Sequence, residues 1–239
     1  MIYISGFHAI EERIKSGRPC HSLLIAKPGP RAREIMALAN ERKIRTDRVG
    51  TMDLDRLAPD HRGILLQVDE ASSSPDISLE EFLESLGEGG DVLVAVLDEI
   101  TDPHNYGAIL RSCDQFGVDL VLTRHRRTAK HADIISKTSA GASAWVPQAE
   151  TANLPRAVEL LKNSGFWIYG ADMEGESVCK RDLRGRTAIV LGGEGSGITR
   201  LLRENCDAMI SIPSLGRIDS LNVSVAAGVL FYEVMRQRS

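Results

Sequence analysis

The chain has 239 residues, 43% of them hydrophobic and 26% charged, with a formal net charge of −4. That size suits one large domain or two modest ones, and no apolar run reaches the roughly 18 residues a membrane span needs. The start, Met1-Ile2-Tyr3-Ile4-Ser5-Gly6, lacks the basic and apolar regions of a signal peptide, so a cytoplasmic location is expected. Cys20, Cys113, Cys179 and Cys206 form no close pair and read as free thiols, with no zinc site or disulfide frame. The acidic balance argues weakly against bulk attraction to nucleic acid, but a local basic patch can carry such binding.

Residues 1–69 read as a small α/β module. Ile2 to Ser5 is a strand, and Phe7 to Ser16 is a helix with Phe7, Ile10 and Ile14 on one face. Leu23 to Ala26 is a strand, Pro28-Gly29-Pro30 a turn, and Arg31 to Glu41 a helix. Ile44 to Arg48, a short helix Met52 to Leu57, and a strand Ile64 to Val68 complete the module. Its surface carries Arg13, Lys15, Arg18, Lys27, Arg31, Arg33, Arg42, Lys43, Arg45 and Arg48, either a solvated face or an RNA contact. His61-Arg62-Gly63 reads as a turn with a polar tip.

Residues 70–90 have the Ser, Pro and Gly content of a linker, with a short helix from Leu79 to Leu86. Residues 91–239 form the larger domain. Val92 to Leu97 is a continuous apolar run, as in a strand buried on both faces. Helix Ala108 to Phe116, strand Val118 to Thr123, a helical segment around His131 to Ser139, and helix Leu154 to Asn163 follow. Then come strands Phe166 to Gly170 and Thr187 to Leu191, helix Ile198 to Glu204, strand Ala208 to Ile212, and helix Leu221 to Gln237. This alternation predicts a mostly parallel sheet with helices on both faces, and such sheets bind ligands at the carboxyl ends of their strands.

Four clusters fall at such ends. The first runs from Asp98 through Thr101-Asp102-Pro103-His104-Asn105 to Arg111-Ser112. Asn105 reads as a helix N-cap, which leaves Arg111 unexplained: a cation beside Ala108, Ile109 and Leu110 needs an anionic partner, and its fork suits a phosphate. The second is Leu191-Gly192-Gly193-Glu194-Gly195-Ser196-Gly197. It lacks the lysine of a phosphate-binding loop, and Glu194 repels phosphate, so an uncharged or cationic ligand fits better. The third comprises Ile212-Pro213-Ser214-Leu215-Gly216 and Ser220-Leu221-Asn222-Val223-Ser224, whose small polar groups either cap the turn or hold a ligand. The fourth, Arg124-His125-Arg126-Arg127 with Lys130 and His131, is a basic run on the same side.

Together these motifs, in this order and spacing, resemble the SpoU-type or TrmH-type RNA ribose 2′-O-methyltransferases, above all members acting on a 23S rRNA guanosine in the peptidyl-transferase region. The resemblance covers nearly the whole chain. It implies residues 1–69 as an RNA substrate-binding domain resembling a ribosomal-protein-like RNA-binding fold, 70–90 as linker, and 91–239 as a methyltransferase domain. It implies a deep trefoil knot around Gly192 to Gly197 and Ile212 to Ser224, against the ordinary rule that chains stay unknotted. It further implies S-adenosylmethionine held by Leu191, Gly192, Gly197, Ile212, Pro213, Ser220 and Leu221, and a homodimer using the last helix. Val225, Val229 and Phe231 on that helix fit either the interface or the core.

The same resemblance implies Asn105, Arg111, Glu194, Ser220 and Asn222 as the catalytic set. Arg111 would position the RNA phosphate and stabilise the developing alkoxide, because a guanidinium resists deprotonation. Glu194 would orient Arg111 or the ribose. Arg62, Ser214 and Trp145 depart from what relatives commonly carry, which bears on substrate identity. The alternatives are methylation of another rRNA or tRNA nucleotide, a base methyltransferase of the same superfamily, or a non-catalytic RNA-binding or ribosome-assembly factor.

Overall fold

The larger sheet is built around β5 (Val92–Asp98), all seven residues of which are buried. The computed structural model describes residues 2–17, 19–58, 61–68, 77–124, 134–135, 138–216 and 220–239. The chain divides into two compact units, Met1–Pro75 with Arg127–Trp145, and Asp76–Arg126 with Val146–Ser239.

In the first unit β1 (Ile2–Ser5), β2 (Ser22–Ile25), β3 (Arg45–Arg48) and β4 (Ile64–Val68) form one sheet in the order β1-β4-β2-β3. The last strand lies in the middle, antiparallel to β1 and β2, because Ile64, Leu65, Leu66 and Val68 are apolar enough to be covered on both faces. Side-chain alternation sorts the layers. Leu23, Ile25, Ile64 and Leu66 pack under α1 (Phe7–Lys15) and α2 (Pro30–Glu41), through Ile10, Ile14 and Ile35. Leu24 and Leu65 meet Leu54 of α3 (Thr51–Leu57) on the other face. Trp145 belongs to this unit and donates its indole N–H to Glu12 Oε2 at 3.0 Å.

The second unit contains α4 (Leu79–Ser85), α5 (Pro103–Phe116), β6 (Leu120–Arg124), β7 (Gln148–Thr151), α6 (Leu154–Asn163), β8 (Trp167–Ser177), β9 (Arg186–Gly192), α7 (Arg200–Glu204), β10 (Ala208–Ser211) and α8 (Val223–Arg238). The sheet order is β10-β8-β9-β5-β6-β7, and every pairing is parallel. Val92, Val94 and Val96 face a core shared with α4, α6 and α7, through Phe82, Val158, Leu161 and Leu202. Alternation turns Leu93, Ala95 and Leu97 to the opposite face, which α5 and α8 cover. These two helices run in the same direction and approach closely: a Cβ on Gly228 would lie 3.3 Å from Ser112 Oγ, and Phe116 meets Tyr232 edge-on at 5.9 Å.

Two features depart from the sequence expectation. β7 is a strand although Gln148-Ala149-Glu150-Thr151 has no apolar run; its place beside β6 buries Gln148 and Ala149. β8 extends beyond Gly170 because its pairing with β10 shifts between Met209 and Ile210, so residues 171–175 loop out before Glu176 and Ser177 rejoin. Gly175 is required there, since a Cβ would lie 2.6 Å from the Ile210 backbone. Of the helix expected around His131 to Ser139, residues 134, 135 and 138 are helical and 131–133 and 136–137 lie outside the described residues, as does the basic run 125–131 beyond Arg124.

Candidate active site

At the carboxyl end of β5 the chain turns into α5. Asp102 is the N-cap: its carboxylate accepts from the backbone of His104 at 3.1 Å and of Asn105 at 3.4 Å. Pro103 takes the first helical position, where a missing N–H costs nothing. The helix therefore starts well before the apolar periodicity at Ala108, and Asn105 lies inside its first turn. Freed from capping, the buried Asn105 amide donates through Nδ2 to Glu194 Oε1 at 2.9 Å.

Glu194 comes from the loop after β9. The same oxygen accepts from Asn222 Nδ2 at 2.9 Å, and that nitrogen also reaches Asn105 Oδ1 at 3.0 Å. The other side of Asn222 caps α8, its Oδ1 accepting from Ser224 N at 2.9 Å and Ser224 Oγ at 2.6 Å. Asn222 therefore caps α8 with its oxygen and joins Asn105 and Glu194 with its nitrogen. Three loops remote in sequence thus meet in one triangle of amide, carboxylate and amide. Hydrogen bonds to a carboxylate each contribute about 1.5–3 kcal/mol when shielded from water, and less here because Glu194 and Asn222 are exposed.

The glycine loop is held by close backbone approach. Gly197 N donates to Gly193 O at 3.0 Å, and a Cβ on Gly192 would lie 2.1 Å from the Gly197 carbonyl carbon. A Cβ on Gly193 would lie 2.7 Å from the Glu99 carbonyl oxygen, so the loop is wedged against the end of β5. Asp98, the last residue of β5, lies in register with Gly192 and is fully buried. Its Oδ2 accepts from Thr199 N at 2.8 Å, fastening the exit of the loop where α7 begins. Its Oδ1 has no hydrogen-bond partner among the described residues. Sequence reasoning gave Asp98 no role; the available signal was an acidic residue directly ending a strand apolar on both faces.

Arg111 takes no part in the triangle. It is exposed on α5 and makes no hydrogen bond or ion pair among the described residues. Six helical residues place it about 9 Å along the axis and about 240° around from Asn105, so the two side chains leave different faces. Glu194 spends its contacts on the asparagines rather than on Arg111. Ser220 is exposed and unbonded among the described residues. Leu191 is buried and Gly192 half-buried at the end of β9, with Gly197 exposed beyond them; Ile212 is half-buried and Pro213 exposed after β10, and Leu221 precedes α8 at 49% exposure. All lie at the carboxyl edge of the sheet.

Comparison with known proteins shows the family. The sequence pattern of the SpoU rRNA Methylase family matches residues 92–232, and one described as RNA 2′-O ribose methyltransferase substrate binding matches residues 3–74. The chain is 39% identical to the 23S rRNA (guanosine-2′-O-)-methyltransferase RlmB of Neisseria meningitidis, over 98% of this chain and 95% of that one. It is 38% identical to the RlmB of Xanthomonas campestris, over 99% and 96%. The fold matches the crystal structure of the SpoU methyltransferase AviRb from Streptomyces viridochromogenes in complex with AdoMet, with a TM-score of 0.76 at 24% identity, covering 99% of this chain and 89% of that one.

Proposed function

Because the chain belongs to the SpoU rRNA methylase family, we infer that it transfers a methyl group from S-adenosylmethionine to a ribose 2′-hydroxyl of rRNA. The finer target we propose is a guanosine in the peptidyl-transferase region of 23S rRNA, made in the cytoplasm where ribosomes assemble. The names of the relatives support guanosine and 23S rRNA. No helix among the described residues is long and apolar enough to cross a membrane. The observation that carries the reading is the Asn105–Glu194–Asn222 triangle at the carboxyl edge of a parallel sheet.

Residues 1–69 would bind RNA, 70–90 link, and 91–239 perform the transfer. A trefoil knot fits the topology. β10 is the edge strand, three places from β5, yet Asn222 touches residues at the ends of β5 and β9. Three strand spacings are about 14 Å, and the chain between Ser211 and Asn222 has the length to cross them. The homodimer is proposed on an apolar stripe of α8: Val225 (52% exposed), Val229 (39%) and Tyr232 (49%), continued by Leu221, while Phe231 is core.

The residues suit S-adenosylmethionine. The exposed loop 194–197, the apolar Ile212 and Leu221, and the Glu194 carboxylate fit an uncharged adenosine, an apolar ring face and a cationic sulfonium. Leu191, Gly192, Gly197, Ile212, Pro213, Ser220 and Leu221 would hold it, and it supplies an electrophilic methyl carbon when bound. Asn105, Asn222 and Ser220 would fix the hydroxyl by hydrogen bonds, with Glu194 locking the two amides in one orientation. Arg111, exposed and unpaired among the described residues, is available to bind the neighbouring phosphate and to stabilise negative charge on the 2′-oxygen. The proton leaves late or through water. The test is nucleoside mass spectrometry of a 23S rRNA transcript incubated with the protein and methyl-labelled cofactor: 2′-O-methylguanosine is expected, and a label on the base would overturn the reading.

A further inference from the structure

One end of the first unit's sheet concentrates cations that pair with no carboxylate among the described residues. Ile25, Arg48 and Ile64 stand in one row, at the carboxyl ends of β2 and β3 and the start of β4. Just beyond this row lie Lys27, the Arg48 side chain and Arg62; Gly63 O accepts from Ala26 N at 3.0 Å, which brings the Arg62 turn against the Lys27 segment. Arg33, from the first turns of α2, folds back to the same end, its Nε donating to Pro28 O at 3.3 Å. All four are exposed, and among the described residues none pairs with a carboxylate. Among the described residues the nearby acids are engaged: Asp47 pairs with Arg45, Asp53 accepts from Gly50 N, Asp55 bonds His61, and Glu11 and Glu34 hold Arg31.

The Arg62 turn is built rather than incidental. Arg62 has φ 51°, a left-handed conformation that a side chain adopts at a cost and that persists only where neighbours enforce it. The enforcing group is the buried His61 ring. Its Nδ1 accepts from Gly63 N at 2.8 Å, so the proton lies on Nε2, which donates to Asp55 Oδ1 at 3.0 Å. A glycine at position 62 would adopt the turn without strain. The chain instead holds an arginine there and orients it outwards beside Lys27 and Arg48.

We propose that Lys27, Arg33, Arg48 and Arg62 form the face of the first unit that binds the phosphate backbone of the substrate RNA, with Arg62 its presented contact. This rests on the RNA-methyltransferase reading and assigns it a surface. A patch of exposed cations with no carboxylate partner among the described residues fits a polyanion of repeating charge, where each contact releases a counterion.

The test uses the full chain and a fluorescent 23S rRNA transcript, with binding followed across a salt series and methyl transfer measured in parallel. Lys27→Ala/Arg48→Ala/Arg62→Ala should weaken binding by about tenfold or more near 0.1 M salt and reduce the log–log salt slope by about three. Arg42→Ala/Lys43→Ala, two exposed cations at the other end of the sheet, should change both far less. Arg62→Gly should keep or raise the unfolding temperature while weakening RNA binding, which separates contact from folding. Unchanged affinity and slope in the triple variant, or a larger loss in the Arg42/Lys43 control, overturns this assignment while wild-type methyl transfer stands. Absence of RNA methylation by the wild type would instead overturn the parent reading.

Discussion

The two ends of the larger sheet are fastened in different ways. At the amino end, side chains grip backbone. Arg238 Nη2 donates to Gly185 O at 2.7 Å and to Val92 O and Leu183 O at 3.2 Å, and Gln237 accepts from Leu183 N at 2.9 Å and donates to Arg181 O at 3.1 Å. Asp119 accepts from Leu93 N at 2.7 Å, and Asp207 from Ile168 N at 2.8 Å. At the carboxyl end the triangle joins side chain to side chain, and Arg111 and Ser220 have no partner among the described residues. Backbone ties fix one arrangement. Side-chain ties that involve exposed groups such as Glu194 and Asn222 can be exchanged for a ligand at small cost, which is what a site needs and an anchor does not.

Substitutions at each end should therefore separate activity from stability. The largest effect is expected for Arg111→Ala, a loss of about a thousandfold in kcat with the unfolding temperature unchanged, because the exposed side chain makes no hydrogen bond or ion pair among the described residues. Retention of full turnover with intact cofactor and RNA binding would remove Arg111 from the mechanism. Asn222→Asp comes next. It keeps the oxygen that caps α8 but sets a second carboxylate against Glu194, so kcat should fall about a hundredfold while stability changes by less than about 1 kcal/mol; steady-state kinetics and urea unfolding read the two effects. Asp98→Asn should act through the loop it fastens, raising KM for the cofactor by about tenfold (~1.4 kcal/mol) with a smaller change in kcat. An effect on kcat alone would contradict a positioning role.

At the amino end the pattern should invert. Arg238→Ala should cost about 1–2 kcal/mol of stability, since it removes the hydrogen bonds to the Val92, Leu183 and Gly185 carbonyls, of which Leu183 and Gly185 keep another donor, and leave kcat untouched below the unfolding transition. Glu233 should give the smallest effect. The Arg236 side chain, bonded at 2.7 and 2.8 Å, holds its carboxyl down at about 2. A depressed folded value means that the ionised form contributes stability above the ordinary carboxylate range, and that this contribution is lost as pH falls from there towards 2. The stability gap between wild type and Glu233→Gln, followed by urea unfolding, should narrow over that window; a gap independent of pH would show that the ion pair contributes nothing.

Much of the fold and part of the site were legible in the sequence, for reasons that differ by residue. Val92 to Leu97 announced a buried parallel strand because both faces need apolar cover, and all its residues are buried. Gln148–Thr151 was illegible as a strand because its burial comes from β6 and not from its own pattern. The excursion in β8 depends on a register that only the partner strand sets. Asn105, Glu194 and Asn222 each stood out as polar residues at strand ends, yet no local signal joins residues separated by 89 and 117 positions. Asp102 took the cap that Asn105 was expected to supply, since an Asp-Pro pair starts a helix more readily than the apolar period reveals. Val225, Val229 and Phe231 share one helix and one chemistry, and only packing separates the buried phenylalanine from the exposed valines.

The most direct test of the central claim is nucleoside mass spectrometry of 23S rRNA transcripts treated with wild type, Asn105→Ala, Glu194→Gln and Asn222→Asp in the presence of methyl-labelled S-adenosylmethionine. The triangle predicts label on a ribose 2′-oxygen with the wild type and a loss of about a hundredfold or more in each variant. Label on a base, or variants that match the wild type while remaining folded, would contradict it.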